Sequence, residues 1–456
     1  MLKRKIEKYL SNWKEEKGHK PLVIKGVRQC GKTFIVQKFA KENYKHVVYI
    51  NFMKTPQLAL AFVSSLEVDN ITMLISSVIK DVEFAAGSTC IILDEIQECP
   101  QARTALKYFA LDGRYDVIAT GSLLGVKGYE QQGRNGKKEH SASIPVGYED
   151  IVQMYPLDFE EFLWANGING QVTETLRQCL ESEEAVPALL HSRMEELLLH
   201  YTIVGGMPEV VNTFIETHNL SKVHCIQRRI IDEYEDDMMK YADASDKPNI
   251  RECFESIPKQ LAKENKKFQY SVVKKNARAT TYLGSLQWIE DAGIARRCYN
   301  LSTTSLPLDI SAIDDCFKVY MCDTGLFVAM LEEGTSFDIL QGNLNSYKGA
   351  LYENIMADIL GKMGRRLYYF QKKSGLEVDF VIRYKNACTI LEVKAKGGKT
   401  KSSDTILRHP ETYNVEQCIK FGKYNVGRPA PDSPILILPL YMAFLLNESE
   451  NNDMII

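Results

Sequence analysis

Eight consecutive residues, Gly26-Val27-Arg28-Gln29-Cys30-Gly31-Lys32-Thr33, carry the spacing Gly-x4-Gly-Lys-Thr. Each fixed position has a chemical use. The glycines let backbone N–H groups wrap a β-phosphate, and a helix starting at the lysine adds the positive end of its dipole. Lys32 can reach the β- and γ-phosphates, and the Thr33 hydroxyl can ligate Mg²⁺. Gly26 through Phe34 are therefore the expected nucleotide-cradling residues, with ATP and Mg²⁺ as cofactors. A glycine turn beside an ordinary surface lysine would give the same letters. It would not explain the apolar strand directly before them or the helical pattern Phe34–Glu42 directly after.

A second run, Cys90-Ile91-Ile92-Leu93-Asp94-Glu95, is an apolar strand ending in two acids. At that position Asp94 would hold the metal through water, and Glu95 would polarise the attacking water. Lys32 and Glu95 are thus the expected catalytic pair, and Thr33 and Asp94 the metal-holding pair. The next strand-like run closes on Thr120-Gly121-Ser122. Thr120 and Ser122 compete for a sensor role against the γ-phosphate, and simple turn chemistry accounts for them equally well. Val47–Phe52, between the phosphate-loop strand and the acidic strand, places the segment among ATPases with an additional catalytic glutamate.

Near the C-terminus a second set of carboxylates appears. Side chains alternate along a strand, so Glu377 and Asp379 share one face, as do Glu392 and Lys394 on the following strand. Glu353 lies upstream on a helix candidate, Tyr347–Met363. Acid on helix, acid on strand, then Glu-x-Lys is the arrangement of PD-(D/E)xK nucleases, in which two carboxylates hold Mg²⁺ or Mn²⁺ and the lysine activates water. Three readings stay open for Glu353, Asp379, Glu392 and Lys394: a metal nuclease, a nucleic-acid binder that does not cut, and a structural set. Residues 361–430 hold 15 Lys and Arg against 6 Asp and Glu, a net +9, with Tyr368, Tyr369, Tyr384, Tyr413 and Tyr424 among them. Such a stretch suits a phosphate backbone, although a solvated basic face would read the same. In the middle of the chain, Lys274, Lys275, Arg278 and Thr281 could head a recognition helix. Arg228 and Arg229 share a helix with Asp232, Glu233, Glu235, Asp236 and Asp237, where ion pairs at i,i+4 are the plainer account. The eight histidines show no ligand spacing.

The elements that must position these residues follow from patterning. Short apolar runs at Leu22–Ile24, Val47–Phe52, Cys90–Leu93 and Val117–Ala119 alternate with segments of helical length, which predicts a parallel sheet covered by helices. Residues 128–143 are polar and glycine-rich and read as an exposed loop. From 162 to 241 the pattern is helical. Residues 250–330 hold short helices and then strand-like pieces, suggesting a winged helix. The last 120 residues return to α/β. The expected division is 1–165, 166–335 and 336–456, in line with the roughly three domains that 456 residues suggest.

Composition bounds the rest. At 45 % hydrophobic and 25 % charged residues the chain is an ordinary globular protein, not a disordered or collagen-like one. The net charge of −3 rules out a global basic field, so any nucleic-acid surface must be local. Eleven cysteines without a CxxC pair fit a reducing compartment. No secretory leader is visible, and the longest apolar run, Ile435–Leu446, is broken by Pro439 and too short to span a bilayer. The expectation is a cytoplasmic protein with no membrane partner.

The runs GVRQCGKT, LDEIQ, ATGS, YPLDFEEFL, VGGMPEVV, KVYMCDTGL and SGLEVDFVI resemble the signature segments of a bacterial AAA-type P-loop ATPase family with a C-terminal domain of poorly known function. The resemblance spans nearly the whole chain. It implies an α/β AAA-type parallel-sheet domain, a helical and winged-helix-like middle, and a small α/β restriction-endonuclease-like end. Relatives resemble one another in a Gly-Arg pair shortly before the YPL run, a trigger arginine in such ATPases. This chain has Pro145-Val146-Gly147-Tyr148 there, so either Arg134, Arg228 or Arg229 substitutes or ATP turnover is slow, and ring assembly stays open. The expected function is an ATP-binding and ATP-hydrolysing protein that acts on or near DNA or RNA through its C-terminal half, with a homo-oligomer allowed. The alternative is a regulatory or scaffold ATPase that engages protein partners and carries an inert nuclease-like domain. A nucleotide kinase is disfavoured because no lid-like arginine cluster follows the phosphate loop.

Overall fold

A computed structural model of the chain describes residues 2–122, 146–241, 246–263, 266–343, 347–394 and 401–447. The expected loop at 128–143 and Arg134 lie outside them. The chain divides into two compact units, one built from residues 3–156 with 291–293, the other from 157–290 and 294–456. The break after Pro156 falls before the expected end of the ATPase segment. The helical middle and the C-terminal α/β region group together.

The first unit is a five-stranded sheet of β1 (Leu22–Gly26), β2 (His46–Asn51), β3 (Thr89–Asp94), β4 (Asp116–Ser122) and β5 (Asp150–Met154), in the order β2-β3-β4-β1-β5. Every pairing is parallel. β3 is buried at all six positions and β1 at four of five, the near-continuous apolar signature of strands covered on both faces. On one face Val23, Ile50, Leu93 and Val117 pack with Ile71 and Ile75 of the helix Val68–Val78 and with Leu106 and Phe109 of the helix Pro100–Asp112. The strand that separates the phosphate-loop strand from the acidic strand is β4, and β2, the Val47–Phe52 run, lies at the sheet edge instead. Chain order alone does not set spatial order. β5 lies at the other edge, only partly buried, with Ile151 44 % exposed. Its sequence, Asp-Ile-Val-Gln-Met, therefore lacks the apolar run that marks the inner strands.

The second unit opens with helices Phe159–Ala165, Gly170–Ser182, Ala188–Val204, Pro208–Thr217 and Leu220–Tyr241. Asp158 starts the first of these with a reciprocal capping box to Glu161. The Gly205-Gly206 step is forced by packing. A Cβ on Gly206 would stand 2.0 Å from the Leu157 carbonyl oxygen, and one on Gly325 would stand 2.4 Å from that of Val204. Here the VGGMPEVV and KVYMCDTGL runs meet. Asp323 caps the helix Thr324–Ala329 through Leu326 N–H (3.0 Å) and also accepts from Gly206 N–H (2.7 Å). Beneath them the buried Lys362 donates to the Leu157 carbonyl (3.1 Å) and the Tyr201 hydroxyl (2.8 Å) and pairs with Asp358 (2.8 Å). A buried ammonium with a carboxylate and two further acceptors is well compensated.

Helices Lys247–Leu261, Tyr270–Val273 and Ala279–Asp291 lead into the hairpin of β6 (Ala295–Leu301) and β7 (Ala312–Met321). After the helix Lys348–Lys362, β8 (Leu367–Gln371) pairs with β6 and β9 (Glu377–Val378) with β8, giving the sheet β7-β6-β8-β9. A second four-stranded sheet, β10-β11-β12-β13, follows from Phe380–Tyr384, Ala387–Val393, Gln417–Gly422 and Ile435–Pro439. Among the described residues no helix is long and apolar enough to cross a membrane.

Candidate functional site

The phosphate loop leaves β1 at Gly26, where only glycine fits, because a Cβ would lie 2.3 Å from the Met154 carbonyl oxygen of β5. Gln29 and Gly31 take left-handed φ of 62° and 95°, which curls the loop into a concave turn of backbone donors. The helix Lys32–Asn43 starts at once, so its first N–H groups face the turn without intrahelical partners. Lys32 Nζ lies within the loop, donating to the carbonyls of Gly26 and Val27, both at 3.0 Å. Cys30 is buried, and its carbonyl accepts from Arg4 Nη1 (3.0 Å) while Arg4 Nη2 donates to the Tyr155 carbonyl (2.7 Å). Arg4 thus ties the loop to the end of β5. Val27 is buried, and Arg28 is half-buried. The side chain of Phe34 is 55 % exposed, so what it offers the turn is its backbone N–H.

The buried Asp94 gathers donors from four elements. Thr33 Oγ1 lies 3.1 and 3.2 Å from its two carboxylate oxygens. Tyr49 hydroxyl (2.6 Å) and Asn51 Nδ2 (2.9 Å) donate to Oδ2, and Thr120 hydroxyl and Glu95 N–H (3.2 Å) to Oδ1. Burial and the bond to Asp94 push the Tyr49 hydroxyl up to about 12, so it remains a donor at neutral pH. Glu95 has φ +56°, uncommon for a residue with a side chain. Its carboxylate accepts from Gln97 Nε2 at 2.6 Å. Ser122 ends β4 level with Gly26, whereas Thr120 sits level with Ile24. Of the two sensor candidates, Thr120 is the one bonded to Asp94. Sequence reasoning missed Arg4, Tyr49 and Asn51. The last two were visible as polar residues at i and i+2 on one face of β2.

In the second unit Glu353, Asp379, Glu392 and Lys394 do come together. Lys394 Nζ stands 2.5 Å from Glu392 and 3.7 Å from Asp379. Ser403 donates to Glu392, and Val393 N–H to Asp379 at 2.7 Å. Burial and the nearby Glu353 carboxylate raise Asp379 to about 7, with Lys394 pulling the other way. Glu353 accepts from Lys266 and from the Tyr320 hydroxyl (2.8 Å). Lys318, wholly buried on β7, reaches Glu377 at 2.8 Å and Glu353 at 3.7 Å and lies 4.7 Å over the Tyr369 ring. Lys266, Lys318 and Tyr320 went unforeseen, because a lone lysine in a strand carries no local signal of its partner 59 residues away. Each acid thus has a cationic partner, that of Asp379 being Lys394 at 3.7 Å. Among the described residues no three His, Cys, Asp or Glu side chains are grouped so as to hold a metal ion. Arg228 donates to the Ala329 carbonyl (3.0 Å), and Arg229 pairs with Glu209 (2.5 Å) and Glu233 (3.7 Å).

Comparison with known proteins agrees with the first unit. Residues 18–163 match the family described as AAA domain. Parallel sheet, phosphate loop and acidic strand are in keeping with that match, and this segment has an AAA-type P-loop fold. Residues 195–336 and 348–440 match two families described as domains of unknown function, DUF8612 and DUF4143. Among solved structures, the chain is similar to a Walker-type ATPase of Pyrococcus abyssi, at 12 % identity over 72 % of this chain and 96 % of that one, TM-score 0.41. It is also similar to AMPPCP-bound DnaA from Aquifex aeolicus, at 14 % identity over 62 % and 86 %, TM-score 0.27. A third is a signal-transduction ATPase with a tetratricopeptide-repeat sensor from Pyrococcus horikoshii, at 12 % identity over 79 % and 45 %, TM-score 0.26. No curated protein sequence matches the chain.

Proposed function

We propose that the chain is an ATP-driven switch that turns over Mg-ATP in its first unit and engages nucleic acid through its C-terminal half, without cutting it. The observation that carries the first part is the meeting of Thr33 and Asp94 at the mouth of the phosphate loop. A hydroxyl and one carboxylate beside phosphate oxygens suit Mg²⁺, which keeps several waters and takes few protein ligands. Bound there, the ion would neutralise charge developing between the β- and γ-phosphates. Gly26 to Phe34 cradle the phosphates, Lys32 moving from the loop carbonyls to the phosphate oxygens. Tyr49, Asn51 and Thr120 fix the Asp94 carboxylate, and Glu95 orients water. Ser122, level with Gly26, reports the loop's occupancy.

Support for the second part is the net +9 of residues 361–430, with Lys394 at the rim of a carboxylate cluster whose charges are largely matched. In this reading the C-terminal segment is restriction-endonuclease-like and uses that fold to hold a polynucleotide. The division into 1–165, 166–335 and 336–456 then corresponds to motor, adaptor and contact segments. The test pairs two assays. Lys32→Ala should abolish nucleotide binding in equilibrium dialysis, and Glu95→Gln should bind ATP with turnover reduced by about 10²-fold or more. Undiminished ATPase in Glu95→Gln overturns the role given to that residue. DNA and RNA incubated with the protein, with or without ATP and Mg²⁺ or Mn²⁺, should be retarded on a gel and left uncut. Cleavage that disappears in Asp379→Ala/Lys394→Ala would show a working nuclease instead. Absence of retardation would favour a scaffold that engages proteins.

A further inference from the structure

The helix Ala279–Asp291 has two unlike faces. One is buried through Tyr282, Ser285, Leu286, Trp288 and Ile289. On the other, Ala279, Thr280, Thr281, Leu283 and Gly284 are exposed, Leu283 at 49 %. Gly284 lies inside the helix, and a Cβ there would meet nothing within 4 Å. Among the described residues no contact needs a glycine at this place, and a glycine inside a helix weakens it relative to alanine. Close approach by something outside the chain would require one.

The charge around the head of this helix says what that is. Residues 259–278 hold seven Lys and Arg and a single acid. Lys266 is taken up by Glu353 and Lys274 by Glu252 at 2.8 Å. Lys275 and Arg278 are exposed, and among the described residues neither pairs with an acid. Two neighbouring acids are themselves occupied, Glu252 by Lys274 and Tyr282 and Glu255 by Arg251, while Asp314 and Asp315 of β7 are exposed, Asp315 beside Tyr270. An exposed, unmatched cationic surface is complementary to a polyanion. Three helices followed by the β6–β7 hairpin present it on a rigid support. The exposed helix face fits the roughly 12 Å major groove of B-form DNA, whereas the deep, narrow groove of A-form RNA excludes a helix.

Building on the nucleic-acid reading above, we propose that this surface docks duplex DNA. The Ala279–Gly284 half of the helix enters the major groove, and Lys275 and Arg278 grip flanking phosphates. The test uses the full chain and a short labelled DNA duplex in fluorescence anisotropy across a salt series. Lys275→Ala/Arg278→Ala should weaken binding about 10- to 100-fold at low salt and flatten the slope of log K against log salt by about 2. Gly284→Glu should weaken duplex binding at least tenfold, the residual binding coming from the basic stretch 361–430, while leaving thermal unfolding unchanged or raised, because the new side chain projects into open space. Duplex binding that neither change weakens overturns this surface and leaves the nucleic-acid reading standing. Preference for single strands or duplex RNA overturns the groove assignment. If the unaltered protein binds no nucleic acid, both proposals fall together.

Discussion

At the scale of single residues, the chemistry rests on how buried carboxylates are held. Asp94 takes donors from Thr33, Tyr49, Asn51, Thr120 and the Glu95 backbone, so its orientation does not depend on the nucleotide. Partners that fix a metal-holding carboxylate typically contribute roughly 10–100-fold to metal affinity or activity. Tyr49→Phe should therefore weaken Mg²⁺ activation of the ATPase by about tenfold, read as a shift in the Mg²⁺ titration. Tyr44→Phe is the control, since its hydroxyl bonds Asp116, 2.6 Å away at the start of β4. Equal effects of the two would remove the special role of Tyr49. Asp379 makes the opposite case. Its folded pKa of about 7 lies above the ordinary 3.8. Its stabilising contribution is therefore complete at low pH and is lost as pH rises through about 7. Asp379→Asn should leave thermal unfolding little changed below about pH 4 and raise it increasingly from there to a plateau above about pH 7, by roughly 2–4 °C for each kcal/mol relieved. A variant destabilised at pH 8 would show that the ionised form is needed for folding.

At the scale of elements, close backbone approaches explain runs that have no catalytic use. Gly206 sits against the Leu157 carbonyl with no room for a methyl group. Gly206→Ala should lower stability in urea unfolding by roughly 1–3 kcal/mol or prevent soluble expression. Gly170→Ala, in open space at a helix start, should be neutral or slightly stabilising. Here too lies the limit of what sequence makes legible. β1, β3 and β4 announce themselves because buried parallel strands are apolar throughout and end on the residue that does chemistry. β5 does not, because an edge strand needs no apolar run. The insertion of β4 between β1 and β3 depends on long-range pairing that no local pattern encodes. In the C-terminal cluster, Glu353, Asp379, Glu392 and Lys394 are readable through strand alternation and spacing. Lys318 and Lys266, which offset those charges, are not, since their partners are chosen by tertiary packing.

At the scale of the whole molecule, a net charge of −3 conceals two basic stretches, 259–278 and 361–430, and both belong to the second unit. That unit cannot be cut between its two matched segments. β6 is paired antiparallel to β7 on one side and parallel to β8 on the other, with Cys298, Tyr299 and Asn300 in register with Leu367, Tyr368 and Tyr369. A chain ending at Gln341 would leave that side of β6 with unpaired backbone groups and apolar neighbours, the kind of edge that recruits other chains. It should elute in the void volume of a sizing column, and a soluble monomer would contradict this. The consequence reaches beyond stability. The segments 195–336 and 348–440 are not beads that recombination can shuffle freely, because each supplies part of the other's sheet. A gene fusion joining this middle to a different tail would work only if the newcomer brought a strand for β6.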